Sequence, residues 1–217
     1  MGIVRPAPRP HGSSRDSVRE PERSLALCRL SHVEAARQAD LDPVLCPVLD
    51  YVDAADAALI AALPLFDAND LLMKELERLN RLPHARRPTA AAFFAADPFL
   101  HVGSLVAQLR KARIRTVVNF PTVQIFDGMF GENLDRMGCG VTLELERLAA
   151  LREEGFDACG LMLSDQMLPR ILRAGLDRHV LLSPDRPAPD ASAGASTLRT
   201  IFVVNGGAKV GHWAAQK

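Results

Sequence analysis

The apolar positions of this chain gather into seven short runs: Ser24–Leu30, Pro43–Leu49, Thr89–Ala95, Thr116–Phe120, Ala158–Ser164, His179–Ser183 and Thr200–Asn205. The runs are continuous rather than alternating, which suits strands covered on both faces, as in a parallel sheet. Between them apolar residues recur at helical spacing. Asp67 and Asp70 offer N-caps ahead of Leu71, Leu72, Glu75, Leu76 and Leu79, and Asn80 and Pro83 end that helix. Leu105, Val106 and Leu109 mark a second helix. Leu143, Leu145, Leu148 and Leu151 mark a third, with Gly155 just past its end, and Met167, Leu168, Ile171 and Leu172 a fourth, closed by Gly175. Strand, loop, helix, loop is the repeat of a βα barrel or a doubly wound sheet.

Three stretches fall outside the repeat. Residues 121–140, PTVQIFDGMFGENLDRMGCG, read as a long link between a strand and its helix. Pro184–Ser196 is rich in Pro, Ala, Ser and Asp and reads as a flexible linker. Met1–Arg23 carries four prolines and five arginines with few large apolar side chains, and reads as a disordered tail. Residues 24–217 are then the folded, barrel-like domain.

Composition narrows the function classes. The 26 basic and 26 acidic side chains cancel, which argues against a nucleic-acid surface built on bulk charge. No apolar run reaches the roughly 18 residues of a membrane-spanning helix, so no membrane partner is expected. With one Trp and one Tyr, the core must be mostly Leu, Val, Ala and Phe. Cys28, Cys46, Cys139 and Cys159 show no C-x-x-C spacing and no regular histidine pattern, so a zinc site has no support. Reduced thiols and the lack of a secretory leader point to the cytoplasm.

Candidate chemistry lies at the strand ends, where parallel α/β folds bind ligands. Asp97 follows the third run, either orienting a water or a metal, or anchoring an Asx-turn ahead of Pro98. Asn119 ends the fourth run and could donate to a substrate oxygen or bond a neighbouring loop. Asp127-Gly128 is a turn by itself. Glu144 and Glu146 stand two apart and face different sides of one helix, so at most one can face a site, with Glu146 the better fit to a solvated face. Asn205-Gly206-Gly207 could let backbone amides approach a phosphate. His84, His101, His179 and His212 read as surface or loop residues. No G-x-S-x-G elbow, G-x-G-x-x-G or P-loop occurs.

Leu63–Asn69, Ala96-Asp97-Pro98-Phe99, Val118–Val123, Phe126–Phe130, Glu132-Asn133-Leu134, Met137–Gly140 and Leu143–Glu146 together, in order and spacing, resemble the phosphoenolpyruvate hydrolase-like TIM-barrel family. The resemblance implies a TIM (β/α) barrel. About 190 residues remain after the tail, where such a barrel takes about 250, so a barrel shortened at both ends is expected. It implies an enzyme with a small phosphorylated or carboxylated substrate and enolpyruvate- or pyruvate-type chemistry. Asp97, Asn119, Asp127 and Glu144 would be its catalytic positions, and Thr122, Asn205, Gly206 and Gly207 would bind substrate. The metal is unknown; Mg²⁺ is the cation that related barrels suggest. The family's glycine-rich first loop has no counterpart in Ser24–His32, which keeps open the alternative of an inactive barrel serving as a binding or regulatory module. A short barrel with open strand edges also points to a homo-oligomer.

Overall fold

The computed structural model describes residues 25–52, 57–63, 65–182, 199–205 and 209–211. The expected tail, the linker at 184–196, Gly206, Gly207 and His212 lie outside the described residues. All seven apolar runs contain strands: β1 (Leu25–Cys28), β2 (Asp42–Leu45), β3 (Ala90–Phe93), β4 (Thr116–Asn119), β5 (Asp157–Met162), β6 (Arg178–Leu182) and β7 (Arg199–Asn205). Each pairs in parallel with the next, and β7 pairs with both β6 and β1. The sheet therefore curls into an incomplete TIM barrel, with seven parallel strands among the described residues where eight are usual. A short strand β8 (Lys209–Gly211) runs antiparallel to β7, with Asn205 opposite Lys209.

Outside the strands lie α1 (Val33–Gln38), α2 (Ala57–Ile60), α3 (Ala68–Leu79), α4 (Val102–Ala112), α5 (Gly128–Arg136), α6 (Val141–Glu153) and α7 (Leu168–Arg173). Successive strand residues divide between two cores, as the pleat requires. Leu27, Val44, Ala92, Val118, Leu161 and Val180 fill the barrel interior. Their neighbours Leu45, Phe93, Val117, Met162 and Leu181 face outward against Leu76, Leu109, Leu148 and Ile171 of the helices. A period of two is thus hidden inside each continuous apolar run, because both faces are buried.

The helix ends follow the local chemistry. Asp67 caps α3 by accepting from Asp70 N at 2.7 Å. Gly155 and Gly175 follow α6 and α7 with φ of +89° and +77°, the left-handed position glycine takes past a helix end. Two expectations need correction. The run Pro43–Leu49 stops being a strand at Leu45, and Pro47–Asp50 forms a 3₁₀ turn; Pro47 has no N–H to give to a ladder. The long link at 121–140 holds a 3₁₀ turn, Val123–Ile125, and the whole of α5. Its glycines suggest loop, but Gly131 lies inside α5 because a Cβ there would meet Phe126 O at 2.6 Å. A third correction concerns His179, which is buried in β6 rather than at the surface, while His84 and His101 are exposed.

None of the four cysteines forms a disulfide, and Cys28, Cys46 and Cys159 are buried. Burial pushes the Cys28 thiol up to about 12 and the Cys46 thiol up as well, so both behave as small apolar groups. Among the described residues no helix is long and apolar enough to cross a membrane.

Gly160 shows how tightly helix and sheet pack. A Cβ on this β5 residue would sit 3.0–3.2 Å from three carbons of Ile171 on α7. Gly160→Ala is expected to lower stability by about 1–3 kcal/mol, measured by urea denaturation, as overpacking forces Ile171 from its place.

Candidate functional site

The candidate site is built where β4 leaves the barrel. Asn119, the last residue of β4, is fully buried. Its Oδ1 accepts from Leu161 N of β5 at 2.7 Å, which fixes the amide so that Nδ2 points the other way. Nδ2 donates to Glu144 Oε2 at 3.0 Å. Thr122 Oγ1 donates to the same oxygen at 2.7 Å, and Val123 N donates to Oε1 at 2.8 Å. Glu144 has no exposed surface and stands on the first turn of α6. Three donors thus converge on one buried carboxyl group and tie α6 to the turn after β4. Burial outweighs the hydrogen bonds that the carboxyl accepts and pushes it up to about 7.

One turn further along α6, Arg147 does the same for β3. Its Nη1 donates to Ala95 O at 2.7 Å and also to Asp97 O. Asp97 itself is half-buried. Oδ1 accepts from Phe99 N at 2.8 Å, an Asx-turn, and Oδ2 accepts from Asn69 Nδ2 at 2.9 Å. Asn69, buried at the start of α3, also exchanges hydrogen bonds with the backbone of Phe94 in both directions. Gln124 makes a third such link. Its Nε2 donates to Leu161 O at 2.7 Å and its Oε1 accepts from Leu163 N at 3.2 Å, so the side chain prolongs the edge of β5.

Beside this scaffold is a cavity of about 250 Å³. Val123 and Gln124 form one wall, Gly128 and Asp135 of α5 another, and Ser164 and Arg170 the side toward α7. Of the residues expected to carry chemistry, the structure brings Asn119, Thr122 and Glu144 into one cluster. Asp97 sits at the neighbouring strand end, joined to that cluster through Arg147 and α6. Asp127 is exposed at the N-terminal end of α5. None of these five lines the cavity, although Val123 follows Thr122 and Phe126 and Gly128 flank Asp127. Asn205 closes β7 opposite Lys209, in a hairpin rather than ahead of a helix. Glu146 is exposed, while Glu144 faces inward, as two residues on different sides of one helix must be.

Asn69, Gln124, Arg147 and Arg170 carry the same architecture and are missed by sequence reasoning. Asn69, Gln124 and Arg147 bond backbone groups 25 to 52 residues away, for which sequence holds no pattern. The weak local signal for Arg170 is a cation just ahead of the predicted apolar stripe residues Ile171 and Leu172. A protein-built Mg²⁺ site does not fit these residues. Among the described residues no three His, Cys, Asp or Glu side chains group together, and both Asp97 carboxylate oxygens are engaged.

The sequence model of the phosphoenolpyruvate hydrolase-like family matches residues 36–184. The chain is 36% identical over 104 residues to the ToMV resistance protein Tm-1 of Solanum lycopersicum, and equally to the ToMV susceptible protein tm-1. These matches cover 47% of this chain and 13% of each tomato protein. The uncharacterized protein y4oT of Sinorhizobium fredii is 30% identical over 131 residues, 60% of this chain and 65% of that protein. The chain thus spans less than two thirds of the length of each of these relatives.

The Glu144 cluster has a pH signature. The carboxyl holds its proton more tightly folded than unfolded, so its contribution to stability is full below about pH 4.5 and is lost as pH rises through about 7. The stability of the protein relative to Glu144→Gln, from urea titrations, is expected to fall by a few kcal/mol across that window, at about 1.4 kcal/mol for each pH step of one. A difference that stays flat would show that Glu144 does not titrate there.

Proposed function

The chain belongs to the phosphoenolpyruvate hydrolase-like family, and from that premise we propose that it binds a small phosphorylated or carboxylated metabolite of the enolpyruvate type and hydrolyses its phosphate ester. The observation that carries this reading is the cavity at the ends of β4 and β5, one wall of which stands on a turn held by buried Glu144. Ligand sites of parallel barrels lie at this end of the strands. In the reaction, water adds to phosphorus, the P–O bond to the enol oxygen opens to release the enolate, and a proton equivalent to the one water gives up is taken at the enolate's terminal carbon, leaving pyruvate beside inorganic phosphate.

The residues divide into two roles. Asn119, Thr122 and Glu144 are positioning residues: they are sealed from solvent and fix the backbone of Val123 and Gln124 against β5. Asp97 serves likewise through its turn. Asp127 is the exposed carboxylate beside the mouth, placed to exchange a proton with a bound ligand. Arg170 supplies positive charge for the anion. Four cysteines outside any disulfide support the cytoplasm as the compartment. Exposed Phe99, Met129, Phe130 and Met137, all at the same end of the barrel, support self-association.

A second reading has its own observation. The seventh strand turns back into antiparallel β8 instead of leading to another helix, and the central carboxyl group is out of reach of solvent. Both features suit a barrel that binds without turnover. One experiment separates the two. Phosphoenolpyruvate at about 100 times its Kd is expected to raise Tm by several degrees, since such occupancy adds about 2.7 kcal/mol. Release of inorganic phosphate above the uncatalysed rate supports the hydrolase; a Tm shift without phosphate release supports the binding module. No Tm shift with phosphoenolpyruvate or oxaloacetate, with or without Mg²⁺, would sink both.

A further inference from the structure

Helix α5 is unlike the other long helices. It is nine residues long and none of them is buried. It nevertheless forms a wall of the cavity through Gly128, Gly131 and Asp135. Its two ends are glycines in the left-handed region, Gly128 at φ +53° and Gly138 at φ +72°. Nothing lies within 4 Å of a Cβ built on either one, so the backbone conformation and not crowding calls for glycine there. Near its start, α5 rests on Phe126, through the close approach of Gly131 and an edge-on contact of Phe126 with Phe130 at 5.0 Å. Near its far end one side chain ties it down. Asp135 Oδ1 accepts from Thr142 N at 3.3 Å, in the first turn of α6, and Asp135 Oδ2 is 3.6 Å from Arg170 Nη2. Arg170 Nη2 also donates to Thr142 Oγ1 at 3.1 Å.

We propose that α5 is a lid over the cavity, pivoting on Phe126 and latched at Asp135, and that its opening frees Arg170 to receive the anionic group of the ligand. The second clause rests on the metabolite reading above. The latch suits its task. Both partners are about a third exposed and the pair is long, so it is weak and can exchange. The Asp135 carboxylate also occupies the place, between a guanidinium and a helix N–H, that a ligand's carboxylate or phosphate would take. A ligand that carries more charge, and offers both groups an oxygen at shorter distance, displaces it. Since α5 fully buries none of its own residues, swinging it aside uncovers the cavity wall without drawing a buried side chain of α5 out of a core.

Amide hydrogen exchange tests the lid without any ligand. Asp135→Asn keeps an oxygen for Thr142 N but removes the charge, and Arg170→Leu removes the other partner. Both variants are expected to speed exchange of amides 129–137 about fivefold or more, with amides 145–151 of α6 unchanged. Unchanged exchange at 129–137 in both variants would overturn the lid. Phosphoenolpyruvate is then the binding probe. Asp135→Asn is expected to bind it several-fold more tightly than the unmodified protein, and Arg170→Leu to lose it. If α5 loosens in both variants but none of the three proteins binds phosphoenolpyruvate, the lid stands, and the role of Arg170 falls with the metabolite reading. If the unmodified protein binds and Arg170→Leu binds equally well, the metabolite reading stands and Arg170 is not its anion receiver.

Discussion

A carboxyl group with no exposed surface is costly to keep unless it is surrounded by donors, and Glu144 is surrounded by three. Everything at this end of the barrel depends on that arrangement. The donors come from three successive parts of one turn: the end of β4, the residue before the 3₁₀ turn, and the first amide within it. A single side chain thus dictates the path of the chain from Asn119 to Val123. Because Asn119 spends its other amide atom on β5, the cluster also joins β4 and β5 at the level where their ladder ends.

Helix α6 extends this control to a second strand. Glu144 and Arg147 are one turn apart, and the carboxyl group holds the exit of β4 while the guanidinium holds the exit of β3. Asn69 does the equivalent from α3, bonding Phe94 and Asp97. The loops at the open end of the barrel are therefore pinned by polar side chains on the helices behind them as well as by apolar packing. Such bonds are directional, so they define loop geometry more sharply than burial alone does. Helix α5 stands apart as the one long element at this end held by a partly exposed ion pair.

This division explains what could be learned from the amino-acid sequence. Strands buried on both faces leave continuous apolar runs, and β1 to β6 were legible for that reason. Helices α3, α4, α6 and α7 were legible because each buries an apolar stripe against the sheet. Phe126, Phe130 and Leu134 do recur at helical spacing into α5, but its four neighbouring or internal glycines resembled a loop. At the site, the choice between Glu144 and Glu146 was open to reasoning from helix geometry. The Asx-turn at Asp97 was legible from Asp97-Pro98, and Phe99 N supplies its hydrogen bond. Gln124 and Arg147 were not legible. Their partners are backbone groups, which almost every residue possesses, so no particular residue type elsewhere in the chain signals the contact.

The closure of the barrel by β7 has a consequence for how the chain is made. Leu25 lies beside Ile201, so the first and seventh strands meet only after the roughly 175 residues between them have been synthesised. Until then β1 and β6 both present unpaired backbone edges. Contacts of such long sequence separation form slowly, and open parallel edges are adhesive to other strands. The ribosome-bound chain therefore passes through a long interval as an open, two-edged sheet. During that interval its fate is a competition between its own last strand and any neighbouring chain able to pair with it.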